Sequence, residues 1–177
     1  RVVDSSGNVY ALSNNHVYAN ENIASINDAV IQPGTFDGGS LTGDSFGTLA
    51  DFVPIDFSGT GTNIVDAAIA AVADGDLAMG TPEGGYGEPS STTVAAIGGL
   101  NVRKYGRTTG QTDGRVDAVN ATVNIGYDTG TALFVGQVII KGRKGSFSAG
   151  GDSGSLIVTK DGSNPVALLF AGNRDRK

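Results

Sequence analysis

Glycine punctuates this chain so closely that long helices have no room to form. Twenty-eight of the 177 residues are glycine, and with Pro33-Gly34, Asp37-Gly38-Gly39 and Gly59-Thr60-Gly61 they cut the apolar residues into short runs bounded by turns. No segment sustains a helical period, whereas several runs fit strands. The opening Arg1 to Leu12 reads as strand, Ser5-Ser6-Gly7-Asn8 turn, strand. Ala29–Gln32, Gly47–Val53 and Val65–Val72 follow in the first half; only Asp74–Gly80 offers a helical turn. Beyond a Gly, Pro, Glu and Ser-rich connection from Gly75 to Thr93 come Val102–Gly106, Arg115–Ile125, Leu133–Ile140, Leu156–Thr159 and Val166–Gly172. Arg115–Ile125 alternates apolar and polar as a half-buried strand should. The reading is an all-β fold with about five strands in each half.

Cysteine is absent, so a packed core rather than disulfides must hold the fold. A chain of this length can bury such a core, as one compact unit or two small subdomains. No apolar run is long enough to span a bilayer, which argues against a membrane span. No charged segment followed by an apolar one opens the chain, as a mature or trimmed protein would read. The formal net charge of −6 hides an asymmetry: residues 1–100 carry twelve acidic side chains and one basic, residues 101–177 six acidic and eleven basic. The switch predicts a boundary near Gly98-Gly99, dividing the chain into residues 1–97 and 98–177, whose opposite charges would favour docking at low salt. The basic residues form small clusters with few aromatics between them, which argues against nucleic acid. Asp37, Asp44, Asp51 and Asp56 crowd the first half, yet their spacing matches no calcium loop, so they read as solvated carboxylates; no metal or cofactor is implied.

The chemistry gathers around Gly150-Gly151-Asp152-Ser153-Gly154-Ser155, a tight loop feeding the strand Leu156–Thr159. A serine hydroxyl needs a base to take its proton and a third group to orient that base. The single histidine, His16, follows Asn14-Asn15, and Asp66 stands before Ala67-Ala68-Ile69-Ala70. Taken singly, each motif has a plain structural explanation: a hairpin loop, a surface histidine, a strand-end carboxylate. Their conjunction in the order His, Asp, Ser points to a nucleophilic triad.

These motifs, with Lys104-Tyr105-Gly106-Arg107-Thr108-Thr109-Gly110, resemble the chymotrypsin-fold (trypsin-like) serine peptidases, in particular their disulfide-free bacterial branch. The resemblance runs from about Leu12 to Gly172. It implies two packed antiparallel Greek-key barrels, the first carrying His16 and Asp66, the second Ser153. The family's barrels have six strands, so each half reads as one strand short, to be completed by a missing segment or a partner chain. The resemblance further implies a serine endopeptidase acting on protein or peptide substrates, in an extracytoplasmic or secreted setting. Ser153 would be the nucleophile, His16 the general base and acid, and Asp66 its orienting group, with the backbone N–H groups of Gly151 and Ser153 forming the oxyanion hole. Asp152 would lie behind the loop without a zymogen switch built on Arg1. Phe147, Ser148, Phe170, Ala171 and Gly172 would form the substrate pocket, and an aromatic at 147 offers no charge for a basic side chain, so a small or apolar preference is expected. The competing reading is a non-catalytic trypsin-fold binding or assembly module.

Overall fold

The computed structural model describes residues 1–172. The chain divides into two compact units, Arg1–Ile55 with Asp66–Ala78, and Asp56–Val65 with the chain from Met79 onwards. Residues 79–97, which the sequence reading assigned to the first half, pack with the second unit, where Ser90 N donates to Ser163 O and Val94 N to Pro165 O. Residues 173–177, the end of the expected second half, lie outside the described residues.

In the first unit β1 (Val2–Val3), β2 (Val9–Ser13), β3 (Ala29–Ile31), β4 (Ser45–Phe52) and β5 (Ala68–Val72) form one sheet in the order β1-β2-β5-β4-β3. Every neighbouring pair is antiparallel. Alternation along β5 sends Ala68 and Ala70 into the core beside Ala11, Ala19, Val30 and Leu49, with Tyr18, Phe46 and Phe52 packed around them. Leu49 and Ala70 are register partners in the middle of the sheet, so a large side chain faces a small one there. A short α-helix, α1 (Asn15–Tyr18), follows β2 directly.

In the second unit β6 (Asn101–Gly106), β7 (Gly110–Gly126), β8 (Thr131–Gly142), β9 (Leu156–Thr159) and β10 (Pro165–Leu168) form a second antiparallel sheet, ordered β10-β9-β6-β7-β8. Its core gathers Val102, Val116, Phe147 and Ile157, with Leu100, Val138, Ile140 and Val166 packed against them. The five strands expected in each half are present, in two antiparallel sheets.

Two departures from the sequence reading matter for the site. β5 starts at Ala68 rather than Val65, leaving Asp66 just outside the ladder. β6 and β7 form a hairpin in which Gly106 pairs with Gly110 across the loop Arg107-Thr108-Thr109. The backbone of that loop is therefore free to serve the serine loop rather than the sheet.

Candidate active site

The histidine is set by the end of one strand and the start of one helix. Ser13 closes β2 and Asn14, in an extended conformation, leads into α1. The first N–H groups of a helix have no partner within it. Here Asp66 supplies one, its Oδ1 accepting from the His16 backbone N–H at 3.2 Å while its Oδ2 lies 2.6 Å from His16 Nδ1. One carboxylate thus fixes both the backbone and the ring of the same residue. Because a carboxylate only accepts, Nδ1 carries a proton and donates it to Asp66 Oδ2. The Asp66 side chain is fully buried while that of His16 is 20% exposed, so the pair is anchored inside with one ring edge reaching outward.

Two asparagines secure the pair. Asn14 Nδ2 donates to the Asp66 carbonyl at 2.8 Å, tying the aspartate's backbone to the residue before α1. Asn15 Nδ2 donates to Asn22 Oδ1 and to Val53 O, and Asn15 Oδ1 accepts from the Asn22 N–H. Asn22 in turn bridges both backbone groups of Ile55. Asn20, Glu21 and Asn22 all have positive φ, an uncommon run for residues with a side chain, and these hydrogen bonds hold it in place. The sequence reading used the two asparagines only as part of the histidine motif.

In the second unit Ser153 lies in the turn preceding β9, and the loop is organised by its neighbour Asp152. The Asp152 carboxylate is fully buried. Its Oδ1 accepts from the N–H groups of Thr108 (2.8 Å) and Thr109 (3.1 Å), its Oδ2 from Thr109 Oγ1 (2.7 Å) and Ala149 N (3.0 Å). Lys104 Nζ, also fully buried, lies 3.3 Å from Oδ2 and donates to Thr109 Oγ1 and Gly110 O. Burial alone would raise the Asp152 carboxyl, but the hydrogen bonds from Thr109, Ala149 and Thr108 outweigh it and hold the group at about 2. Burial pulls the Lys104 ammonium below its ordinary value, partly offset by the Asp152 charge. The partner of Asp152 is therefore an internal lysine on β6.

The loop's own amides divide into two sets. Asp152 N donates to Ala149 O, Gly154 N to Leu169 O, and Ser155 N to Asp152 O. Among the described residues, the N–H groups of Gly151 and Ser153 make no hydrogen bond. Gly151 has φ +94°, and a Cβ there would stand 2.5 Å from Thr108 Oγ1, so both conformation and space require glycine. At Gly106 a Cβ would meet Asp152 Oδ1 at 2.5 Å and Ser155 Oγ at 2.7 Å; the serine loop closes down onto β6 only because that strand ends in glycine.

The expected pocket residues fall in two groups. Phe147 is 7% exposed and belongs to the core of the second unit; a Cβ on Gly114 would press on its ring at 2.7 Å. Ser148 and Gly172 face each other, a Cβ on Gly172 standing 3.0 Å from Ser148 Oγ. Phe170 packs its ring on Phe134 at 4.8 Å, and Ala171 is half-buried beside it. Among the described residues no group of His, Cys, Asp or Glu is arranged to hold a metal ion.

Comparison with known proteins gives these features a setting. Residues 89–177 match a family model described as Nal1 C-terminal domain. Glutamyl endopeptidase 2 of Streptomyces griseus is 38% identical over 98 residues, covering 54% of this chain and 48% of that protein. The chain thus spans about half the length of that curated relative. Among solved structures, a glutamic-acid-specific serine protease described as using a novel histidine triad in substrate binding superposes with a TM-score of 0.64 at 25% identity, covering 97% of this chain and 76% of that one. Cellulomonas bogoriensis chymotrypsin superposes with a TM-score of 0.59 at 20% identity, covering 92% and 70%. The chain belongs to the family of the Nal1 C-terminal domain, and its fold is that of the trypsin-like serine peptidases.

Proposed function

We propose that this protein is a serine endopeptidase in which Ser153 attacks the scissile carbonyl and forms an acyl-enzyme. His16 Nε2 takes the serine proton and returns it to the leaving amine; Asp66 keeps the ring in the Nδ1–H tautomer and stabilises the imidazolium that forms. The N–H groups of Gly151 and Ser153 receive the charge that develops on the carbonyl oxygen. Water then repeats the sequence on the ester. The observation that carries the reading is the 2.6 Å bond from His16 Nδ1 to a buried, backbone-anchored Asp66, because orienting a base in this way has no structural purpose that a simpler side chain would not serve. The similarity to glutamyl endopeptidase 2 supports it.

For specificity, we assign Ser148, Phe170, Ala171 and Gly172 to the walls of the pocket, with Phe147 beneath them in the core. The solved glutamate-specific relative is described as using three histidines. This chain has one, already engaged with Asp66, so acidic side chains would lack that recognition here. A small or apolar side chain at the cleaved position fits the lining. Following the similarity to glutamyl endopeptidase 2, we assign the activity to an extracytoplasmic setting; among the described residues no helix is long and apolar enough to cross a membrane.

A chromogenic peptide library tests both parts. Wild type is expected to cleave after small or apolar residues, and Ser153→Ala and His16→Ala to lose turnover by three orders of magnitude or more. Best cleavage after Arg or Lys would overturn the pocket assignment. Turnover that survives both substitutions would overturn the triad.

A further inference from the structure

An oxyanion hole depends on which way one peptide plane faces. In a trans peptide the carbonyl and the following N–H point in opposite directions, so whatever holds the Gly150 carbonyl also aims the Gly151 N–H. Gly150 and Gly151 are the two residues least able to hold that plane by themselves, since glycine rotates with little steric penalty. Something outside the loop has to do it.

Thr108, in the β6–β7 hairpin loop, is placed for this. Its Oγ1 donates to the Gly150 carbonyl at 2.8 Å. It also accepts from Arg107 Nη1 at 3.1 Å. A guanidinium can only donate, so the hydroxyl must accept on that side, and its single proton is left for Gly150. The direction of the bond is thereby fixed, and a hydrogen bond from a charged donor into the hydroxyl strengthens the one leaving it. Thr108 itself is anchored through its backbone N–H to Asp152 Oδ1, in the same loop that carries Ser153. The clamp and the nucleophile therefore share one support.

We propose that Thr108 is a positioning residue for the oxyanion hole: its hydroxyl holds the Gly150–Gly151 peptide in the orientation that turns the Gly151 N–H away from Thr108 and leaves it unbonded for the substrate oxygen. The inference rests on the peptidase reading above. The hydrogen bond is solvent-exposed, so its effect is smaller than deleting an oxyanion donor, on the order of tenfold rather than a hundredfold or more.

The experiment compares wild type, Thr108→Val, which keeps the shape and removes the hydroxyl, and Thr108→Ser, which restores it. Each is measured for kcat and KM on one peptide substrate, for affinity toward a peptide boronic acid whose tetrahedral adduct places an oxygen in the hole, and for Tm. The expected result is a kcat about tenfold lower in Thr108→Val, a similar loss of boronate affinity, KM and Tm close to wild type, and recovery of both losses in Thr108→Ser. Wild-type kcat and boronate affinity in Thr108→Val would overturn the inference while leaving the peptidase reading standing. So would equal losses in both variants accompanied by a lowered Tm, which mark a merely structural threonine. A folded wild type that neither turns over peptides nor binds the boronate would instead overturn the peptidase reading, and this inference with it.

Discussion

Asp66 contributes more to His16 than a counter-charge. With one oxygen on the backbone N–H and the other 2.6 Å from Nδ1, it determines where the ring stands and which nitrogen carries the proton. Asp66→Asn keeps the size but offers a donor to Nδ1, which favours the opposite tautomer. A kcat about 10⁴-fold lower, with near-native Tm, is the expected outcome of steady-state assay and thermal melt. Gly151→Ala acts on the other half of the chemistry: at φ +94°, and with Thr108 Oγ1 2.5 Å from the new Cβ, the loop has to shift. The expectation is a loss of roughly 10²-fold in kcat, read beside a modest fall in Tm. At this scale His16, Asp66 and Ser153 were legible as candidates only together: each motif alone has a plain structural explanation, and their order is what points to a triad. Lys104 was not read, although a signal existed: Val102, Lys104 and Gly106 share one face of a strand and are all buried, and a lysine at an inward position demands an internal anion. Thr108 gave no such signal, since its role depends on a hydroxyl meeting a carbonyl 42 positions away.

The element that organises the second unit's site is the β6–β7 hairpin with the serine loop laid against it. Its ion pair is asymmetric in what each partner would leave behind. Asp152 keeps the N–H groups of Thr108, Thr109 and Ala149 and the Thr109 hydroxyl if Lys104 is replaced; Lys104 loses the anion 3.3 Å from it if Asp152 is replaced. Asp152→Ala is therefore expected to destabilise by about 3–5 kcal/mol, and Lys104→Met by clearly less, in denaturant titrations. The Asp152 carboxyl titrates at about 2 in the fold, below its ordinary 3.8, so its contribution to stability is present above about pH 4 and disappears as pH falls toward 2. Acid melts are expected to show that loss in wild type and to lack it in Asp152→Asn. Strand existence was legible along this element, while strand extent was not. β7 runs from Gly110 to Gly126 and its pairing with β8 shifts register three times between Val116 and Val123. The steps between paired residues are unequal on the two strands, two on β7 against one on β8, then three against two, then two against three, which breaks the period of two on which a sequence reading depends. The turn at 107–109 was hidden for a different reason: its amides are satisfied by Asp152, a partner far along the chain.

At the scale of the molecule, two sheets of five strands carry the two halves of the proposed machinery, His16 with Asp66 in one unit and Ser153 with its oxyanion amides in the other. The sequence marks a boundary near Gly98-Gly99, where its charge balance changes, whereas the second unit takes in the chain from Met79 onwards. It could not show that residues 56–65 belong with the second unit, where Asn63 takes part in the Phe134 end of the sheet through hydrogen bonds to Leu133 and Val135. A ten-residue excursion of this kind is fixed by tertiary hydrogen bonds and leaves no local pattern. The central claim is that the chain folds into a form in which Ser153 is an activated nucleophile. Labelling with a fluorophosphonate probe, followed by peptide mapping, tests it most directly. Wild type is expected to be labelled at Ser153, and Ser153→Ala and His16→Ala to remain unlabelled while melting cooperatively. A cooperatively folded wild type that takes up no probe, or uptake that persists in Ser153→Ala, would contradict it.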